Sequence, residues 1–138
     1  MNQKEFLLSL GEVYCRLAPT RHGVGVIAIR PIPKGANPFK NCDPFGATLR
    51  IGTAELDAAP VPDSVKALVH DYCTMHEGQY HVPDYGIDAI DKSYFINHSG
   101  SPNLETPDNG ETFLAARDIA EGEELTADYA TYGQPTAF

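Results

Sequence analysis

The chain has 138 residues, of which 42% are hydrophobic, and a formal net charge of -9 with a sequence pI of about 4.8. That is one domain of ordinary size, long enough to bury a core without disulfides or a structural metal and too apolar to be disordered. An acidic surface repels phosphate backbones, which excludes direct nucleic-acid binding, whereas basic, lysine-rich segments are attracted by the same field that keeps the chain soluble.

Cys15, Cys42 and Cys73 are odd in number and widely spaced. They form no Cys-x-x-Cys pair, so they read as free buried thiols in a reducing compartment rather than as a disulfide framework or a zinc site. No apolar run reaches the roughly 18 residues of a membrane span. Phe6-Leu7-Leu8, behind Lys4 and Glu5, is too short a run for a signal peptide. The expected location is the cytoplasm, or the nucleus where the source has one.

Residues 1–10 predict a short amphipathic helix ended by Gly11. Val13 to Leu17 alternates as a strand does, Thr20 to Gly25 is a turn, and Val24 to Ile29 is the next strand. Gly23 and Gly25 fit either a close backbone approach to a ligand or a plain hairpin turn. Ile27 to Gly35 has an echo in Leu114 to Gly122, with Ala, Arg, Ile and Gly at the same spacing. The echo predicts two similar strand-turn units. Residues 36–52 read as irregular loop with short strand pieces, anchored in the core by Phe39 and Phe45. Residues 62–77 predict the one clear helix, with Pro62 near its start and Asp63 or Ser64 as cap. Val65, Leu68, Val69, Tyr72 and Cys73 form its core stripe. Cys73, His76 and His81 lack the paired spacing of a zinc site, so no metal is expected. Pro107-Asp108-Asn109-Gly110 is a hairpin turn, and strands follow at 113–116 and 125–127. Many short strands with one main helix make a mainly β, α+β domain.

Two stretches carry the chemistry. In the first, Tyr94-Phe95-Ile96 runs into Asn97-His98-Ser99 and a Gly-Ser-Pro-Asn turn, which offers amide, imidazole and backbone groups from one loop. In the second, Glu123-Glu124-Leu125-Thr126-Ala127-Asp128-Tyr129 is a strand ending in a tyrosine. Taken singly, the first reads equally as a turn tied by side-chain-to-backbone bonds, and the second as a strand with a satisfied tyrosine. Glu124 and Asp128 read as strand-edge or network carboxylates.

Together, and in this order after Gly23-Val24-Gly25, they resemble the SET domain of protein-lysine methyltransferases, over roughly residues 13–132. The resemblance implies a single domain, with 133–138 as a tail, built of several small curved sheets and closed by a C-terminal pseudoknot. It implies S-adenosylmethionine as cofactor, S-adenosylhomocysteine as product and no metal. Gly23, Val24 and Gly25 would line the methionine part of the cofactor. Asn97 would bond its amino or carboxylate end, and the His98 backbone would read the adenine. Tyr129 would stand beside the transferring methyl as the catalytic tyrosine, with Tyr94, Phe95 and Tyr132 as walls of the lysine channel. The implied substrate is a lysine-containing basic protein, histone-like or otherwise lysine-rich. The alternative is a catalytically weak SET-like module that grips lysine-rich segments.

Such a transfer needs a neutral amine, although free lysine has a pKa of about 10.4. An aromatic, apolar channel disfavours the charged form, so solvent suffices as the proton acceptor. The sequence departs from familiar members in two places. No cysteine follows Cys73, so no cysteine-rich zinc segment completes the channel, and residues 132–138 or a second copy of the chain (a homodimer) must close it. Glu105 stands where some members carry a tyrosine, which leaves open the number of methyl groups added.

Overall fold

The computed structural model describes residues 2–40, 48–84 and 86–132. Phe45, Cys42 and the tail at 133–138 lie outside them. A short helix α1 (Gln3–Ser9) opens the chain, capped reciprocally by Asn2 and Glu5. Gly11 does not end it. The backbone tightens instead into a 3₁₀ turn, Leu10–Glu12, that contains Gly11.

Nine short strands follow among the described residues: β1 (Cys15–Thr20), β2 (Gly23–Ala28), β3 (Thr48–Gly52), β4 (Thr74–His76), β5 (Gln79–Pro83), β6 (Asn97–His98), β7 (Leu104–Glu105), β8 (Leu114–Ala115) and β9 (Glu124–Ala127). They make three small sheets, ordered β1-β2-β9-β6, β3-β5-β4 and β7-β8. In the first, β9 lies antiparallel to β2 and parallel to β6. The late strand is thus laid between two earlier stretches, which brings the Gly23–Gly25, Asn97–His98 and Glu124–Tyr129 segments side by side.

Helix α3 (Asp63–Tyr72) is the longest. It stops five residues short of the expected end at 77, because Thr74 to His76 pairs with β5 through a Glu77-Gly78 turn. Both turn residues have positive φ, 53° and 76°, as a tight two-residue hairpin requires. A further helix, α2 (Thr53–Ala58), follows β3 directly, with Glu55 accepting from the Gly52 amide at its start.

Among the described residues the core forms two clusters. The larger packs Val26, Ile32, Ala115, Ile119 and Leu125 with Tyr129 and Tyr132. The smaller holds Leu56, Val69, Cys73, Tyr80 and Val82 under α2 and α3. Phe39 belongs to the larger cluster, edge-on to Phe113.

The sequence echo has a spatial counterpart. Ile32 and Ile119 exchange two backbone hydrogen bonds of 2.8 Å each. Gly35 donates to the Ala115 carbonyl, and Gly122 donates to the Ala28 carbonyl, again at 2.8 Å. Gly35 and Gly122, at matching places in the two units, have φ of 87° and 89°. The two strand-turn units therefore clasp each other around an approximate two-fold relation. Ile32 and Ile119 are each 1% exposed, and burying such a side chain is worth roughly 1.5–3 kcal/mol.

Candidate active site

Strand β2 alternates, and its inward residues, Val26 and Ala28, are buried. Gly25 therefore faces the other side of the sheet. A Cβ there would stand 2.6 Å from Glu124 Oε2 and 2.8 Å from both Asn97 Nδ2 and Thr20 Cγ2. A side chain here would force Glu124, Asn97 or Thr20 to shift, so glycine suits what closes over this position. Gly23 differs: a Cβ would meet open space, but its φ of 95° is one that L side chains rarely adopt. Val24 is exposed between them, and its carbonyl accepts from Asn97 Nδ2 at 3.4 Å.

The same Nδ2 donates to Glu124 Oε2 at 2.8 Å. Both partners are pure acceptors, so the amide's orientation is chemically determined and both its protons are used. Its Oδ1 bonds no described residue. That oxygen is an acceptor suited to an ammonium, not to a carboxylate. An ammonium-bearing cofactor of the kind the resemblance implies would meet a matching acceptor in this oxygen.

His98 Nδ1 accepts from the Tyr129 amide at 3.1 Å, while Asp128 Oδ1 lies 3.8 Å away. The two contacts compete for one nitrogen. A ring nitrogen whose lone pair receives an N–H carries no proton, so the hydrogen bond governs and the carboxylate contact is secondary. Asp128 is otherwise occupied, accepting from the Ala130 amide at 3.0 Å. Strand β6 is the sheet edge, and Ser99 N–H donates to the Ala127 carbonyl at 3.0 Å. In a parallel ladder this turns the His98 N–H and C=O to the outer edge.

Tyr129 is 4% exposed and its hydroxyl donates to the Ile96 carbonyl. Burial, with the nearby Glu124 and Tyr72 adding, pushes the phenol up to about 12. It is therefore a protonated donor at any physiological pH. Its ring lies 5.1 Å from that of His98 and 5.9 Å from that of Tyr132. Tyr132 is itself buried, edge-on to Phe113, and its burial also raises its phenol.

The expected channel residues are spread along a seam. Phe95 packs against the larger cluster and against Tyr72, with ring centroids 5.3 Å apart. Its neighbour Tyr94 packs against the smaller cluster. Tyr132 stands next to Tyr129, inside the core. Two further residues reach the site that sequence patterns assigned elsewhere. Tyr72 was placed on the core stripe of α3, yet the helix ends with it beside Phe95 and close enough to act on the Tyr129 phenol. Its position as the last helical residue was the available signal. Glu124, read as a strand-edge carboxylate, is the group that holds Asn97 and closes over Gly25.

Asn103 explains why β9 is well placed. It is 3% exposed, donates to the Glu124 carbonyl and accepts from the Thr126 amide, both at 2.8 Å. Among the described residues, no group of three or more His, Cys, Asp or Glu side chains is arranged to hold a metal ion. Cys15 and Cys73 are free and buried, and burial pushes the Cys73 thiol up to about 11, which leaves it unreactive.

The family model described as SET domain matches residues 23–130. No curated protein matches the sequence. Among solved structures, a candidate histone methyltransferase of Plasmodium falciparum is similar at a TM-score of 0.48 and 19% identity, over 85% of this chain and 93% of that one. That likeness is too distant to bear on activity.

Proposed function

The chain belongs to the SET-domain family, and from that premise we propose that it is a protein-lysine N-methyltransferase that uses S-adenosylmethionine and acts on a basic protein. Methyltransferases of this family generally use that cofactor. The observation that carries the reading for this chain is the convergence of three separate stretches, with Gly25, Asn97 and Glu124 in contact and Tyr129 held beside them by His98 and the Ile96 carbonyl. Asn97 Oδ1, which bonds no described residue, accepts from the cofactor's ammonium. The outward His98 backbone is available to the adenine, and Gly23 to Gly25 form the floor under the methionine part.

The cofactor supplies an electrophilic methyl on a sulfonium. The chain's part is alignment and exclusion of water, since an in-line displacement needs the reacting atoms roughly 3–3.5 Å apart. Tyr129, held by His98 and by the bond its hydroxyl gives the Ile96 carbonyl, presents its aromatic face to the reacting groups. Tyr72 and Phe95 add aromatic faces, which favour sulfonium and methylammonium over a more polar wall. The same apolar lining favours the neutral amine of the incoming lysine. The net charge of -9 supports a basic substrate through long-range attraction.

Calorimetric titration with S-adenosylmethionine, followed by a labelled-methyl assay on lysine-rich proteins, tests this. Binding with label on lysine is the expected outcome. Binding without transfer to any basic protein supports the module that only grips such segments. A folded protein that binds neither the cofactor nor its demethylated product rejects the reading.

A further inference from the structure

His98 stands between two groups that ask opposite things of one nitrogen. The Tyr129 amide, 3.1 Å from Nδ1, needs a lone pair there. The Asp128 carboxylate, 3.8 Å from the same atom, is suited to an N–H. The neutral ring serves the first and carries its proton on Nε2. The imidazolium has a proton on both nitrogens and can serve only the second. Both side chains are partly exposed, so solvent delivers the proton. The histidine backbone has little room to follow such an exchange, because His98 pairs with Ala127 and the Ser99 amide donates to the Ala127 carbonyl at 3.0 Å. The movement falls to the turn after Ala127, whose first two residues are Asp128 and Tyr129. Strand β9, paired with β6, brings one further charged group, Glu124, and it is engaged with Asn97 at 2.8 Å. The loop after His98, residues 99–103, carries no titratable side chain.

We infer that His98 is a positioning residue for methyl transfer that works only as the neutral imidazole: a proton taken up at Nδ1 exchanges the Tyr129 anchor for the Asp128 carboxylate and loosens the tyrosine. This rests on the methyltransferase reading and deepens it. Tyr129 is held at two points, its amide on His98 and its hydroxyl on the Ile96 carbonyl. Protonation of His98 cuts the first and leaves the second, so the tyrosine stays buried but is hinged where it was fixed. Asp128 gains a partner without giving up its bond from the Ala130 amide, since a carboxylate has room for several donors. Alignment over a reacting distance of roughly 3–3.5 Å is sensitive to such loosening. Transfer is thereby coupled to the surrounding pH through a ring whose own part is to hold the tyrosine.

The experiment follows the Tyr129 amide and the His98 ring by NMR across the histidine range, about pH 5 to 8. Single-turnover methyl transfer is measured over the same range in wild type, His98→Asn and Asp128→Asn, with S-adenosylmethionine saturating and melts establishing that each protein is folded. Asparagine at 98 keeps an acceptor near the place of Nδ1 and cannot titrate, while asparagine at 128 keeps the cap on Ala130 and removes the charge. The Tyr129 amide resonance is expected to move with the ring's own midpoint in wild type and to stay in place in His98→Asn. One pH unit below that midpoint about one tenth of the rings remain neutral. The wild-type rate there is expected to fall about fivefold to tenfold further than that of His98→Asn, the shared part of the fall being protonation of the substrate lysine. Asp128→Asn is expected to carry the extra limb to lower pH, because the imidazolium loses its partner. The comparison reads the shape of each profile and not its height, since the backbone at 98 also borders the cofactor. A Tyr129 amide unmoved by the ring's titration overturns the inference, as do wild-type and His98→Asn profiles of one shape. A limb that stays in place in Asp128→Asn overturns the exchange of partners. Wild-type protein that binds no cofactor fails earlier, at the methyltransferase reading itself, and the amide titration then still decides the anchor.

Discussion

Tyr129 hangs its hydroxyl on a backbone carbonyl and its amide on a histidine ring, so its position is set twice over. Tyr129→Phe removes the first tie and leaves the Ile96 carbonyl without its donor. The expected stability loss is about 1–3 kcal/mol, the usual cost of a stranded buried group, while methyl transfer falls at least about tenfold, by the scale of a lost positioning hydrogen bond. Denaturant melts and single-turnover assays separate the two effects; full turnover in a folded variant removes the hydroxyl from the reaction. Gly25 gives a sharper test. Ala at this position must push on Glu124 and Asn97 at once, so Gly25→Ala is expected to cost cofactor affinity about as much as Asn97→Ala does. Calorimetry checks it, and unchanged Kd values would mean that the cleft yields without consequence. At this scale the sequence was informative about Gly25, Asn97, His98 and Tyr129, because each sits in a motif with a spacing. It was uninformative about Glu124 and Tyr72, whose importance comes from neighbours distant in the chain.

The turn between β8 and β9 carries its own pH dependence. Arg117 donates to Glu123 at 2.8 Å, and the Ala120 amide donates to the same carboxylate at 2.9 Å. These bonds hold Glu123 down at about 2, from an ordinary value of 4.5. Because the folded value lies below the unfolded one, the unfolded chain binds the extra proton in between, and the stabilisation present above pH 4.5 is lost as pH falls towards 2. Glu123→Gln should flatten that acid limb in a series of melts; an unchanged limb would place the acid sensitivity elsewhere. Asn103 is the other support of β9. Asn103→Ala strands two backbone groups of that strand and is expected to lower stability by about 2–4 kcal/mol, read by denaturant unfolding. Elements were legible unevenly. The β1–β2 hairpin was readable because its turn is local. The end of α3 was not, since Cys73 to His76 continues the apolar spacing of the helix and only the pairing with β5 turns it into strand. Helix α2, at six residues, is too short to show a period. The parallel pairing of β6 with β9 rests on two residues and has no local signal at all.

For the whole molecule, the charge of -9 makes a prediction that no single residue makes. If attraction gathers a basic substrate, kcat/KM for that substrate falls with added salt, by roughly threefold or more as the screening length shrinks from about 10 Å at 0.1 M to about 3 Å at 1 M. Affinity for the small cofactor should change much less. A substrate response as flat as the cofactor's would separate the acidic surface from recognition. The clasp between residues 27–35 and 114–122 also has a consequence in time. A ribosome delivers Ile32 well before Ile119, yet each supplies the other's backbone partners. The first strand-turn unit therefore emerges unclosed and with its apolar side uncovered. It must wait for the second unit before the larger core can form, and such non-local pairing slows folding and leaves apolar surface open to aggregation in the meantime.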